Sequence, residues 1–424
     1  GLAFGAIAAV VLVMAAALTL LPGLLGYAGR AIDRFKVPRL HSTPDPGART
    51  GWYRWSRVIQ RHPWLSGSIA LAILLTMAIP VFSLQMLFTD AGNDPTTVTT
   101  RRAYDLLADG FGPGFNGPLV LVAQASSPAD AAALQALETR LPSVADVASV
   151  QTVAATSGTR VIQVTPRTSP QDTATFALIS TLRDRTIPAA ERGTTLRVYV
   201  GGVSATNADF TAAVIAKLPW FLLTIIGLSF LLLVVAFRSL LIPATTAVMN
   251  LLGAAAAFGV LTAFFQWGWG TSAFGMGAAS PVEAFLPVFM IPILFGLSTD
   301  YQVFLVSRMN EEWVRSRDNR RAVRAGQAGT ARVITAAATI MICVFVTFSL
   351  MGNRDIAEFG IALAAAVALD AFILRTTLVP AVMHMLGNAN WSLPGWLDRR
   401  LPHLAIEPSA PSSARACPDL PART

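Results

Sequence analysis

Asp300 and Tyr301 stand side by side inside the stretch PVEAFLPVFMIPILFGLSTDYQVFLVSRM, Pro281 to Met309, which is otherwise apolar. From Phe285 to Arg308 the residues are numerous enough to cross a hydrocarbon core of about 30 Å at roughly 1.5 Å rise per residue. Asp300 precedes Arg308 by eight residues, which puts it about 12 Å inside the end of such a helix. A carboxylate at that depth costs at least about 2.5 to 3.5 kcal/mol on insertion scales, so it is expected to face protein or water rather than lipid. The chemistry open to it is the gain and loss of a proton, with the Tyr301 phenol about a quarter-turn away. A purely structural aspartate, satisfied by a neighbouring helix, remains an alternative at this point.

Two further polar groupings fall in apolar runs. Thr335, Thr339, Cys343 and Thr347 recur every fourth residue and form one small, polar stripe. Such a stripe either lets helices approach closely or lends hydroxyls to a proton path beside Asp300. Asp370 and Arg375 stand five residues apart in the last apolar segment, where a pair lowers the cost of both charges. Residues 85–217 show no metal-ligand spacing, nucleophile triad or phosphate loop, and no enzyme activity, cofactor or metal is expected.

The elements that must hold these groups are membrane spans. Apolar residues make up 54% of the chain, charged residues 13%, and mean hydropathy is +0.55, values that demand several spans and exclude a soluble domain. The net charge of +8 does not point to nucleic acid, because the arginines flank apolar runs. Residues 1–26 read as a span, 27–63 as a basic cytoplasmic linker and 64–84 as a second span. Residues 85–217, with ten Lys or Arg against eleven Asp or Glu, read as an extracytoplasmic domain. Its strand, helix, strand, strand, helix, strand pattern is the ferredoxin-like split unit. Residues 218–388 read as five more spans, and 389–424 as a cytoplasmic tail that is partly disordered. The loop from Arg308 to Arg332 carries seven arginines, which places it inside by the positive-inside rule. The fold class is therefore an α-helical polytopic membrane protein of about seven spans with one extracytoplasmic α+β domain.

The words GLSTDYQVFLVSRM resemble the transmembrane signature of the MMPL transporters, a branch of the resistance-nodulation-division (RND) superfamily. WYRWSRVIQRHPW, FRSLLIPATTAVMNLLG and DAFILRTTLVPAVMHMLGNANW resemble actinobacterial members of the same family. The resemblance implies that Asp300 and Tyr301 relay protons against a second Asp-Tyr pair, and that residues 85–217 are a porter-type domain. It further implies a plasma-membrane protein that exports lipids or other hydrophobic molecules using the proton-motive force. Its partners would be membrane lipids, a hydrophobic substrate and protons. The family usually carries Glu where this chain has Gln302, which removes one titrating group. A full member has two halves. LTLLPGLLGYAG (Leu18 to Gly29) and RTTLVPAVMHMLG (Arg375 to Gly387) echo one another at an offset of 358 residues, as repeats do in transporters. The chain is thus expected to be a C-terminal half that works with an N-terminal half or as a homo-oligomer. A lipid-sensing receptor or scaffold, or an accessory to protein secretion, are alternatives on the same fold.

Overall fold

The computed structural model describes residues 2–29, 51–156 and 158–399. The chain divides into two compact units, Gly1–Gly51 and Trp52–Thr424. In the first, helix α1 (Leu2–Ala28) is apolar along its whole length with Pro22 inside it. Residues 30–50 of the expected linker, and the tail beyond 399 with Cys417, lie outside the described residues.

The second unit begins with two helices, α2 (Gly51–Arg61) and α3 (Pro63–Ala78). Part of the expected linker is therefore helical. The GWYRWSRVIQR run puts Ser56 and Ile59 on a buried face and its arginines elsewhere, an amphipathic arrangement. Trp55 Nε1 donates to the Thr376 carbonyl at 3.0 Å, and Arg324 lies over the Tyr53 ring at 5.5 Å, so α2 is fastened to the bundle.

An α/β region follows. It comprises β1 (Met86–Leu87), α4 (Thr99–Phe111), β2 (Leu119–Gln124), α5 (Pro128–Arg140), β3 (Val147–Thr156), β4 (Thr159–Pro166), α6 (Thr173–Thr181), α7 (Ile187–Glu191) and β5 (Arg197–Gly201). Strands β2 to β5 form one antiparallel sheet in the order β3-β4-β2-β5, with Leu121 paired to Ile162 on one side and Val200 on the other. The period of two is plain in β2, where Leu119, Leu121 and Ala123 are buried and Val122 and Gln124 are exposed. That buried face shares a core with Leu134 and Leu137 of α5 and Leu178 and Ile179 of α6. Ser127 opens α5 with a capping box, exchanging bonds with Asp130.

The rest is helical: α8 (Val203–Phe237), α9 (Leu241–Leu261), α10 (Thr271–Phe274), strand β6 (Val282–Glu283), α11 (Leu286–Ser316), α12 (Asn319–Phe348), α13 (Arg354–Ala368) and α14 (Val379–Leu386). Between α13 and α14 the residues Leu369–Leu378 form a π-helix. β1 pairs in parallel with β6, Met86 opposite Val282 and Leu87 opposite Glu283, joining the chain that leaves α3 to the chain that enters α11. Seven helical segments among the described residues are long and apolar enough to cross a membrane: Ile7–Ala28, Pro63–Ser83, Val203–Phe237, Leu241–Gln266, Leu286–Ser316, Asn319–Phe348 and Arg354–Trp391.

Several of these helices outrun the expected spans. The stretch Arg308 to Arg332, expected as a loop, is helical except for a turn at Arg317–Asp318. Arg317 adopts a left-handed φ of 53° that ends α11, and the Asp318 carboxylate caps α12 by accepting from the Arg320 and Arg321 amides. Close packing depends on small residues. A Cβ on Gly259 of α9 would stand 1.9 Å from the Met77 carbonyl oxygen of α3, so only glycine permits that crossing.

Candidate functional site

The π-helix decides the geometry at the centre of the bundle. Its hydrogen bonds run from i to i+5, so residues five apart stack on one face, whereas an α-helix would turn them well away from each other. Asp370 and Arg375 are such a pair. Arg375 Nε lies 3.3 Å from Asp370 Oδ1, with Arg375 only 1% exposed.

Two other helices complete the arginine's shell. Nη1 donates to Gln302 Oε1 of α11 in a close contact. Nη2 donates to the Ser298 carbonyl at 2.6 Å, to the Ser298 hydroxyl, and to Asn250 Oδ1 of α9 at 3.3 Å. The Ser298 hydroxyl also stands 2.8 Å from Asn250 Oδ1 and 2.7 Å from Asp370 Oδ1. One arginine and one aspartate therefore sit in a knot of neutral polar groups drawn from three elements, and their charges balance. An amide at position 302 suits this balance: it accepts from Arg375 without bringing a second negative charge into a buried space.

Asp300 faces the other way. It follows Ser298 by two residues, roughly 200° around an α-helix, so the helix that buries Ser298 and Gln302 turns Asp300 outward. Asp300 is exposed and Tyr301 half-buried, and neither has a hydrogen-bond or ion-pair partner among the described residues. The stripe on α12 does not supply one. The Thr335 hydroxyl donates to the Ala331 carbonyl at 2.8 Å and Thr339 to the Thr335 carbonyl at 2.8 Å, both within their own helix, and Cys343 is exposed.

The sequence-predicted residues thus separate into a buried pair, Asp370 and Arg375, an outward Asp300, and a half-buried Tyr301 that follows Ser298 by three residues and so lies nearer the buried face. Sequence reasoning passed over Asn250 and Ser298. A signal was available for Asn250, a lone polar residue in the apolar run AVMNLLG, whereas Ser298 is one of five consecutive polar residues and does not stand out. Among the described residues no group of three or more His, Cys, Asp or Glu is arranged to hold a metal.

The model of the MMPL family matches residues 121–408. This chain belongs to the MMPL family. Among similar proteins, membrane protein YdfJ of Bacillus subtilis is 36% identical over 94% of this chain and 54% of its own length. The mycolic acid-containing lipids exporter MmpL11 of Mycolicibacterium smegmatis is 34% identical over 97% of this chain and 44% of its own. The trehalose monomycolate exporter MmpL3 of Mycobacterium tuberculosis is 30% identical over 94% and 46%. The chain spans about half the length of these relatives. With seven candidate spans and this membership, it is a multi-pass plasma-membrane protein.

Proposed function

We propose that this chain is the C-terminal half of a proton-driven exporter of lipids or other hydrophobic molecules. The observation that carries the reading is Asp300, a carboxylate within the span Leu286–Ser316, turned outward next to Tyr301 with no partner among the described residues. A carboxylate cannot rest against lipid cheaply, so that face is covered by a second transmembrane half bringing a matching Asp-Tyr pair. That half comes from the same polypeptide, a separate one, or a second copy of this chain. Protonation of Asp300 changes its affinity for the facing helix and biases the bundle between two states. About 2.3 kcal/mol per charge per 100 mV of membrane potential is available to drive the change. The knot around Arg375 holds α9, α11 and the π-helix rigidly behind it. Thr335 and Thr339 serve packing in this reading.

The α/β sheet, in its β3-β4-β2-β5 order, acts as the extracytoplasmic, ferredoxin-like porter domain through which substrate moves. Support for an apolar cargo comes from a groove of about 630 Å³ lined by Met77, Ile79, Val260, Phe264, Trp267 and Trp269 at the α/β end of the bundle. The names of the MmpL relatives as lipid exporters favour the same class. The test is Asp300→Asn in the complete transporter, with efflux measured in sealed vesicles carrying a proton gradient. The amide keeps size and polarity but cannot titrate, so proton-coupled export is lost while insertion persists; undiminished export refutes the relay.

A further inference from the structure

Where β1 and β6 meet the start of α13, three charged side chains are withdrawn from solvent, and none belongs to the knot around Arg375. Glu283 is 2% exposed, Glu358 0% and Arg354 5%. Arg354 Nε pairs with Glu358 Oε1 at 3.2 Å, one turn along α13. Its Nη1 donates to the Ala278 carbonyl at 2.5 Å and to those of Asn93 and Met276 at 3.3 Å, and the guanidinium lies 5.5 Å from the centre of the Phe265 ring. Glu358 Oε2 accepts the Glu283 backbone N–H at 3.2 Å. The direct ion pair of Arg354 is thus with Glu358, and Arg354 reaches Glu283 only as a nearby charge.

Glu283 has no direct ion pair among the described residues. Its Oε1 accepts the Thr89 N–H at 2.6 Å and touches the Thr89 hydroxyl, while Oε2 is buried with no partner among the described residues. The same Thr89 hydroxyl stands 3.2 Å from Asp355 Oδ1. A hydroxyl has one hydrogen to donate, and two carboxyl groups compete for it. Both contacts are satisfied together when Glu283 carries a proton and donates it to Thr89, while Thr89 donates to Asp355. An ionised Glu283 would instead hold a full negative charge in a buried space beside two other carboxyl groups, which is far more costly than a neutral acid there.

We propose that Glu283 is a proton-binding site, neutral in this arrangement, and that its proton holds the β1–β6 seam closed. The charged groups that face it are Asp355, Arg354 and Glu358, all from α13; the β1 side brings Thr89. Burial moves the Glu283 carboxyl above the usual carboxylate range; the Thr89 bonds and the nearby Arg354 charge oppose that shift, Asp355 adds to it, and burial prevails. A group that binds its proton more tightly in the closed seam than in water stabilises the seam fully below its ordinary pKa of about 4.3, and the stabilisation is lost as pH rises through the elevated value. The seam is therefore closed in acid and loosens toward alkaline pH. This holds whether or not the chain exports anything.

Infrared spectroscopy of the purified chain in lipid nanodiscs reads the proton: a carboxylic-acid C=O band is expected to disappear in Glu283→Gln and to persist in Glu358→Gln. Hydrogen exchange reads the seam at the amides of Val282 and Ala284, which donate to the Gln85 and Leu87 carbonyls at 3.0 and 3.1 Å. Corrected for intrinsic rate, wild-type protection falls by up to about tenfold per pH unit above the titration point, the effect of one proton, and stays flat in Glu283→Gln. If Glu283→Gln does not fold, Asp355→Asn decides, because removing that charge moves the wild-type curve to lower pH. A band untouched by Glu283→Gln or lost in Glu358→Gln, identical pH curves in wild type and Glu283→Gln, or an unmoved curve in Asp355→Asn each overturns the proposal.

Discussion

Replacing Asp370 by Asn keeps the size of the side chain and one of its acceptors but leaves the Arg375 guanidinium buried without a counter-charge. Arg375 is 1% exposed, so solvent cannot supply the missing screening. Removing one partner of a buried pair costs about 3 to 5 kcal/mol, or roughly a hundred- to several-thousand-fold in the ratio of folded to unfolded molecules. The lower end applies here, since Gln302, Asn250 and the Ser298 carbonyl remain as acceptors for the guanidinium. Asp370→Asn combined with Arg375→Met removes both charges and is expected to recover most of the loss, because a buried pair is worth little against well-packed apolar replacements. The assay is reversible unfolding of the purified chain in mixed micelles, with wild type, both single variants and the double variant forming one cycle. An Asp370→Asn variant within about 0.5 kcal/mol of wild type, or a double variant no better than Asp370→Asn, refutes the balanced knot.

Gln302→Leu removes the acceptor of Arg375 Nη1 and leaves a buried donor unsatisfied; it is expected to cost about 1 to 3 kcal/mol in the same unfolding assay. Asp130 of α5 is buried, which opposes its charge, yet bonds from Thr195, Ser127 and Ser126 outweigh burial and hold its carboxyl at about 2. Its stabilisation is present above the ordinary aspartate range and is lost as pH falls toward about 2, so Asp130→Asn destabilises the α/β region at neutral pH, and thermal scans should show the gap closing on acidification. With Cys343 replaced by Ala, and Cys417 likewise, an Ala132→Cys variant on the exposed side of α5 should react with an impermeant maleimide in intact cells, whereas Arg315→Cys should not; the opposite pattern inverts the proposed topology.

The spans were legible because nothing else in a chain of this composition can bury so many apolar residues. Their lengths were not, and α12 shows why. Hydropathy registers the thickness of the hydrocarbon, so it found Val333 to Met351, while the helix starts at Asn319 because Asp318 caps it and an amphipathic arginine-rich turn continues the same hydrogen-bond ladder. In α8 the apolar run begins at Leu218, yet the helix starts at Val203 for the same reason: helical bonding does not stop where lipid does. Asp370 and Arg375 could be paired from their cost in the membrane, but a spacing of five contradicts an α-helix, and the π-turn that reconciles it leaves no mark in residue types. Glu283 and Glu358 escaped notice because each reads as an ordinary polar residue at the edge of a span; only the parallel pairing of β1 with β6 brings Thr89, Asp355 and Glu283 together.

Helix α8 passes without interruption from the edge of the sheet to the far end of the bundle. It has 35 residues, about 52 Å of continuous rod, and keeps Pro219 within it. Gly202, at a φ of 97°, joins it to β5 with no loop to absorb movement. A rod fixed at one end and hinged near its middle acts as a lever. From Pro219 to Val203 the arm is about 24 Å, so a tilt of about 10° at the proline swings the sheet end by about 4 Å. Any tilt imposed among the spans would reach the sheet enlarged in proportion to the arm, without any side chain having to carry it.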